Sequence, residues 1–186
     1  RRNVLNRYMT NRDIEKAFAI ADKHGIHTSA FVMIGLPHEE KEDIMETVNL
    51  LSTILPGRAR WSLFFPFIGT KAYDIAKEAG LIDFKKIHEL DNFTDETCMM
   101  LKNDVALLVD KLKSMFCLFV NGCANIDKEM KYRKLLDVVE QEEQKEWQKD
   151  KNMLLEKARI LDEEMEKRGK IHYTVKYNPF MGVRSD

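Results

Sequence analysis

The residues with most chemical potential lie in "FVMIGLPHEE", positions 31–40. Four residues of strand character end on Gly35, turn through Leu36 and Pro37, and pass His38 to reach the carboxylates Glu39 and Glu40. A glycine at the carboxyl end of a strand has no Cβ, so a flat ligand can lie against the backbone. α/β sheets bind their ligands at that end. A helix starting near Glu39 also points free amide donors at the same rim. The plainer reading is a strand-to-helix connection with no ligand. Glu39 and Glu40 fall in the first helical turn, where negative charge offsets the dipole, and that role accounts for them. His38 reads as a surface histidine. The other reactive groups are Cys98, Cys117 and Cys123. Their spacing supplies no local metal clamp, and "ETCMML" and "MFCLFVNGC" surround them with apolar residues, as for free thiols of a cytosolic protein. No phosphate-cradling glycine loop occurs.

The elements that must position this turn read as alternating helix and strand over residues 1–82. Thr10, Asn11, Arg12 and Asp13 form a capping box. Ile14, Ala17, Phe18 and Ala21 then recur at helical spacing. Gly25 suits the left-handed position after that helix, with Ile26 as the contact beyond it. "HTSAFVMI", nearly continuous in apolar residues, is expected as a parallel strand with helices over both faces. Ile44, Val48 and Leu51 mark one side of the next helix, which ends by "LPG" at 55–57. A second strand, "RWSLFFPF" (60–67), leads to Thr70, which caps a short helix ended by Gly80; Trp61 reads as packing. Two strands make no stable parallel sheet, so partners are expected from polypeptide outside this sequence, another copy or the rest of the chain.

Beyond residue 84 the pattern is helical and apolar from Asp95 to Phe119, then long, charged and helical from Asp127 to Arg168. There Leu154, Ala158, Leu161 and Met165 make a narrow stripe, read as intramolecular packing rather than a dimer seam. "QEEQKEWQKDKN" is either an exposed helix face or a junction between helices. The tail "KIHYTVKYNPF" alternates Ile171, Tyr173, Val175 and Tyr177 as a half-buried strand fit to join a sheet edge. With 186 residues, 44% hydrophobic and 33% charged, the chain suits one domain or a domain with an appendage. A net charge of −1 disfavours nucleic acid as a partner. No apolar run approaches a bilayer span and nothing resembles a signal peptide, so no membrane partner and a cytoplasmic location are expected. The opening "RRNVLNRY" lacks an initiator Met and reads as the interior of a larger protein.

In order and spacing, "VLNRYMT", "KHGIHTSAFVMIGLPHEE" and "FFPFIGTKAYDIAKEAGLID" resemble the second half of the partial TIM-like barrel of radical SAM enzymes. The closest resemblance is to those with an N-terminal cobalamin-binding domain. It covers residues 2–82, under half of the chain. It implies an α/β fold in which residues 1–84 are the C-terminal half of a partial (β/α) barrel with parallel strands. Residues 85–186 would be a mainly helical extension with a short C-terminal strand. The implied parent is an iron-sulfur enzyme, an Fe-S oxidoreductase or methyltransferase. Its 4Fe-4S cluster reduces S-adenosylmethionine (SAM) and releases a 5′-deoxyadenosyl radical.

The family holds that cluster on a C-x3-C-x2-C loop that this sequence lacks. The segment alone is therefore expected to bind no cofactor and to be inactive, with no catalytic or metal residue of its own. SAM, the cluster and, on resemblance alone, cobalamin belong to the parent. By position, Arg7 matches an arginine on the SAM carboxylate, a pairing that suits guanidinium; a solvated arginine beside a helix start is the alternative. Met33, Ile34 and Gly35 match the segment that lines the adenine, and Phe67 a further wall. Phe31 stands where family members place a ribose-binding Asp, and His38 where they have glycine. The implied partners are the missing N-terminal half of the same protein and a small-molecule substrate of unknown identity. The segment alone is also expected to self-associate through its open sheet, or to fold its extension back over it. The competing reading is a non-catalytic α/β plus helical interaction module. The frame upstream of Arg1 is expected to encode C-x3-C-x2-C about a hundred residues earlier; an in-frame stop just before Arg1 would refute the enzyme reading.

Overall fold

Two apolar ribbons separated by a helix in the sequence lie side by side in the structure, a computed structural model that describes residues 2–89, 96–124 and 126–185. β1 (Ser29–Ile34) and β2 (Arg58–Leu63) pair in parallel, from Ser29 opposite Arg58 to Ile34 opposite Leu63. α3 (Lys41–Ile54) connects them. Helices α1 (Arg2–Leu5) and α2 (Asn11–Lys23) precede this unit, and α4 (Lys71–Glu78) and α5 (Lys86–Glu89) follow it. The rest comprises α6 (Asn103–Ala124), α7 (Lys131–Gln141), α8 (Gln144–Lys167), β3 (Tyr173–Val175) and β4 (Met181–Arg184). The sheet order is β1-β2-β4-β3, with β4 antiparallel to both β2 and β3. The architecture is a mixed α/β fold with a small open sheet, in which one pair is parallel.

Alternation decides which face is covered. On the back face Ile34, Trp61 and Leu63 pack with Ile44, Val48 and Leu51 of α3 and with the apolar side of α6. Trp61 stacks on Phe116 with ring centroids 4.5 Å apart. A Cβ on Gly182 would come within 2.8 Å of the Cys117 sulfur and 3.6 Å of the Trp61 ring, so β4 needs glycine to lie this close to α6. The front face is open: Phe31 is 73% exposed and Met33 40%. The expectation of helices over both faces of β1 is therefore corrected. Its long apolar run reflects one buried row and one bare row.

The C-terminal half also departs from its expected outline. The helical stretch expected over Asp127–Arg168 is two helices, α7 and α8, that meet at Glu142 and Glu143, so of the two readings of "QEEQKEWQKDKN" the junction is the one found. There the Lys111 ammonium, on a side chain 4% exposed, donates to the carbonyls of Glu140 and Glu142. Trp147 is fully buried and donates to Asp110 at 2.7 Å, so the charged block is a helix junction with one anchor. The tail is a hairpin rather than one strand; Tyr177, at φ 74°, turns it, and β4 joins the outer edge of β2. Of the helix expected from Asp95 to Phe119, residues 96–102 are not helical and α6 begins only at Asn103, while Asp95 itself lies outside the described residues. The caps at Thr10 and Thr70 form as read. Leu154, Leu161 and Met165 are buried within the chain. Among the described residues no helix is long and apolar enough to cross a membrane.

The hairpin is fastened by polar groups that hydrophobic patterning does not reveal. Asn121 of α6 accepts from the Tyr173 amide at 2.7 Å and donates to its carbonyl at 2.9 Å, so its amide completes the outer edge of β3 as a strand would. Asp162 of α8 accepts from the Tyr132 hydroxyl at 2.8 Å and from Thr174. Burial raises its carboxyl from 3.8 to about 6, against the pull of Tyr132, His172 and Thr174. A raised carboxyl favours the protonated folded state. Its contribution is therefore complete below about pH 3.8 and is lost as pH rises through about 6. The size is about 2 kcal/mol after allowance for partial solvent access. Asp162→Asn is expected to flatten this part of the pH dependence of the urea midpoint; an unchanged slope would remove Asp162 as its source.

Candidate functional site

The site begins with the backbone of β1. The carbonyls of Thr28 and Ile34 accept from the amides of Arg58, which opens β2, and Phe64, just past its end. In a parallel ladder both polar groups of a residue point to the same side. Ala30 and Val32 therefore also face β2, while the N–H and C=O groups of Ser29, Phe31 and Met33 point away from it. Among the described residues no hydrogen bond meets those outward groups. Beyond this free edge lies α2, which is amphipathic yet buries none of its residues and touches mainly α3.

A cleft of about 1710 Å³ wraps the free edge. Behind β1 it is walled by Ile14 and Phe18 of α2, Ala30 and Val32, and Leu50 and Ile54 of α3. In front it is floored by Phe31, Met33, Arg60 and Ser62. Small-molecule pockets run to about 300–1,000 Å³. This space exceeds one ligand, and part of it lies between α2 and the free edge of β1.

The carboxyl end of β1 is closed by the chain itself. Gly35 takes φ 79°, a left-handed conformation that excludes most side chains. Its N–H donates to Glu39 Oε2 at 2.6 Å, and the Leu36 N–H donates to the same oxygen at 3.0 Å. Burial pushes the Glu39 carboxyl up, while these two amides pull it down. Glu39 thus ties off the strand end, which goes beyond the dipole role read from its position. Glu40 is the residue that precedes α3; its amide donates to Asp43 at 3.0 Å and its carboxylate pairs with Lys102. Leu101 lies 3.7 Å from where a Gly35 side chain would begin, and Thr97 donates to the Phe64 carbonyl at 3.3 Å. Residues 96–102 therefore roof the ends of both strands.

The residues singled out in the sequence divide. Arg7 and Met33 both line the cleft. Ile34 is fully buried on the back face, and Gly35 is buried under Leu101. Phe67 is half-exposed beyond β2, against Phe65, and outside the cleft. Two residues that sequence reasoning passed over face the open side: Arg58 and Arg60. "RARWSL" carries the signal, since Arg58, Arg60 and Ser62 alternate with Ala59, Trp61 and Leu63, which are buried. The thiols of Cys98, Cys117 and Cys123 are all pushed up by burial, and no group of possible metal ligands occurs among the described residues.

Compared with known proteins, the chain matches no family model, no curated protein and no solved structure. The site is therefore read from its own chemistry. Removal of the Glu39 carboxylate leaves two strand-end amides without acceptors, a loss of about 2 kcal/mol. Glu39→Ala is expected to lower the unfolding free energy in urea by that amount and Glu39→Gln, which keeps an acceptor oxygen, by under half of it. Equal losses would mean that acceptance by the side chain is not what holds the turn.

Proposed function

We propose that this chain is a segment of a radical SAM enzyme and that its β1–α3–β2 unit forms two staves of a partial (β/α) barrel. The supporting observation is the parallel, in-register pairing of β1 and β2 with one edge unmet and one face bare. In this reading the missing N-terminal half supplies the strand that lies against Ser29, Phe31 and Met33 and under α2. The front face then looks into the barrel, and Arg7 and Met33 meet SAM from the cleft. A chain that stands alone with such an edge self-associates through it.

The cysteines of this chain do not fit a 4Fe-4S cluster. Cys117 and Cys123 sit on α6 and Cys98 on the roofing segment, all apart from the cleft, with thiols that burial keeps protonated. The cluster and any cobalamin fall to the rest of the parent, and no chemical step is assigned to residues here. SAM fits in part: Arg7 offers a guanidinium with no ion pair among the described residues, but Ile34 and Gly35 reach the cleft only through β1 itself. Met33 and Phe31 are the exposed side chains beside it.

The competing reading, a non-catalytic interaction module, draws on the size of the cleft and on the uncovered surface of α2, which suit polypeptide better than a small molecule. The parent protein, expressed anaerobically, separates the two. SAM cleavage to 5′-deoxyadenosine is expected, with Arg7→Ala weakening SAM binding by about tenfold through loss of a charge-assisted contact. Absence of cleavage by a parent with its cluster intact would favour the module.

A further inference from the structure

β2 presents a column of cations on the open face. Arg58, Arg60 and Ser62 point the same way, about 7 Å apart along the strand, and Arg60 lies beside Phe31 of β1. The Arg60 guanidinium sits 5.3 Å from the centre of the Phe31 ring. Stacking of this kind holds the plane of the guanidinium and leaves its N–H donors free at the edge. Neither arginine forms an ion pair among the described residues, and the buried Nε of Arg58 has no partner there.

The acids that line the cleft are held by hydrogen bonds to neutral groups. Glu39 accepts from Gly35 and Leu36, Asp43 from the Glu40 amide, and Glu46 from the Asn11 side chain at 2.7 Å. These acids lie on α3 or in the turn before it, whereas the charge on the front face beside β1 is the Arg60 guanidinium, next to an exposed aromatic ring and a partly exposed methionine. We propose that this face binds a planar small molecule bearing one carboxylate, sulfonate or phosphate group, with Arg60 holding the anion and Phe31 and Met33 carrying the ring. This rests on the reading above only in taking the front face as the substrate side. It narrows the substrate to a flat anion.

The test uses the chain itself and needs no SAM or cluster, so its failure and that of the barrel reading are distinguishable. Anilinonaphthalene sulfonate is titrated by fluorescence against its uncharged analogue, phenylnaphthylamine, which keeps the rings and lacks the anion. Arg60→Gln is expected to weaken the sulfonate about tenfold and leave the neutral analogue unchanged, with the urea midpoint preserved. Arg60→Lys, which keeps the charge and loses the planar fork, falls between, and Phe31→Ala weakens both probes. High salt reduces the difference between the probes. Sulfonate binding indifferent to Arg60, or equal loss of both probes in Arg60→Gln, would overturn the assignment. If Arg60→Gln fails to fold, Arg60→Lys and the salt dependence of the wild-type chain decide it by the same comparison.

Discussion

The structure depends on one parallel strand pair whose second edge is unmet. A parallel pair requires a crossover, and α3 supplies it on the back face, where α6 and the C-terminal hairpin build the core. The hydrophobic surface removed from water on that side holds the chain together. The opposite face stays largely open around Phe31, and the outward N–H and C=O groups of β1 meet no hydrogen bond among the described residues. Both the stability and the candidate chemistry follow from this asymmetry: one side of the sheet is packed and the other displays what the sequence put there.

The C-terminal half completes the sheet at β2 rather than covering its open face. β4 occupies the outer edge of β2, Asn121 ends β3 in place of another strand, and Asp162 with Tyr132 pins the hairpin to the helices. These polar fastenings are directional, so they select one docking of the hairpin where apolar contact alone would tolerate several. Residues 96–102 close the carboxyl ends of the strands in the same way. The surface that remains open is the front of the sheet rather than its rim.

Much of this was legible in the sequence because it rests on local rules. The caps at Thr10 and Thr70, the strand-Gly35 turn and the α8 stripe follow from periodicity and backbone preference, and each lies where those rules put it. The adjacency of β1 and β2 was readable from short connections. The covering of β1 was misjudged because an exposed Phe31 and a buried Val32 are both apolar, so one bare face leaves no polar alternation to read. The hairpin was missed because Met181–Arg184 is too short to show a period, and its partner β2 is more than a hundred residues away. The junction between α7 and α8 was one of two readings of "QEEQKEWQKDKN"; what no local pattern encodes is the Lys111 contact that meets its carbonyls. Arg7 and Met33, singled out by resemblance, both line the cleft. Arg60 was overlooked although its alternation with Ala59 and Trp61 was in plain view.

Residue-resolved amide hydrogen exchange along β1 examines the central claim most directly. The account predicts alternation: Ala30, Val32 and Ile34, whose amides face β2, exchange slowly, while Phe31 and Met33 exchange at rates close to those of unprotected chain in dilute, monomeric samples. Protection of Phe31 and Met33 equal to that of Val32 in such samples would show that the edge of β1 is already met, and the account would fail with it.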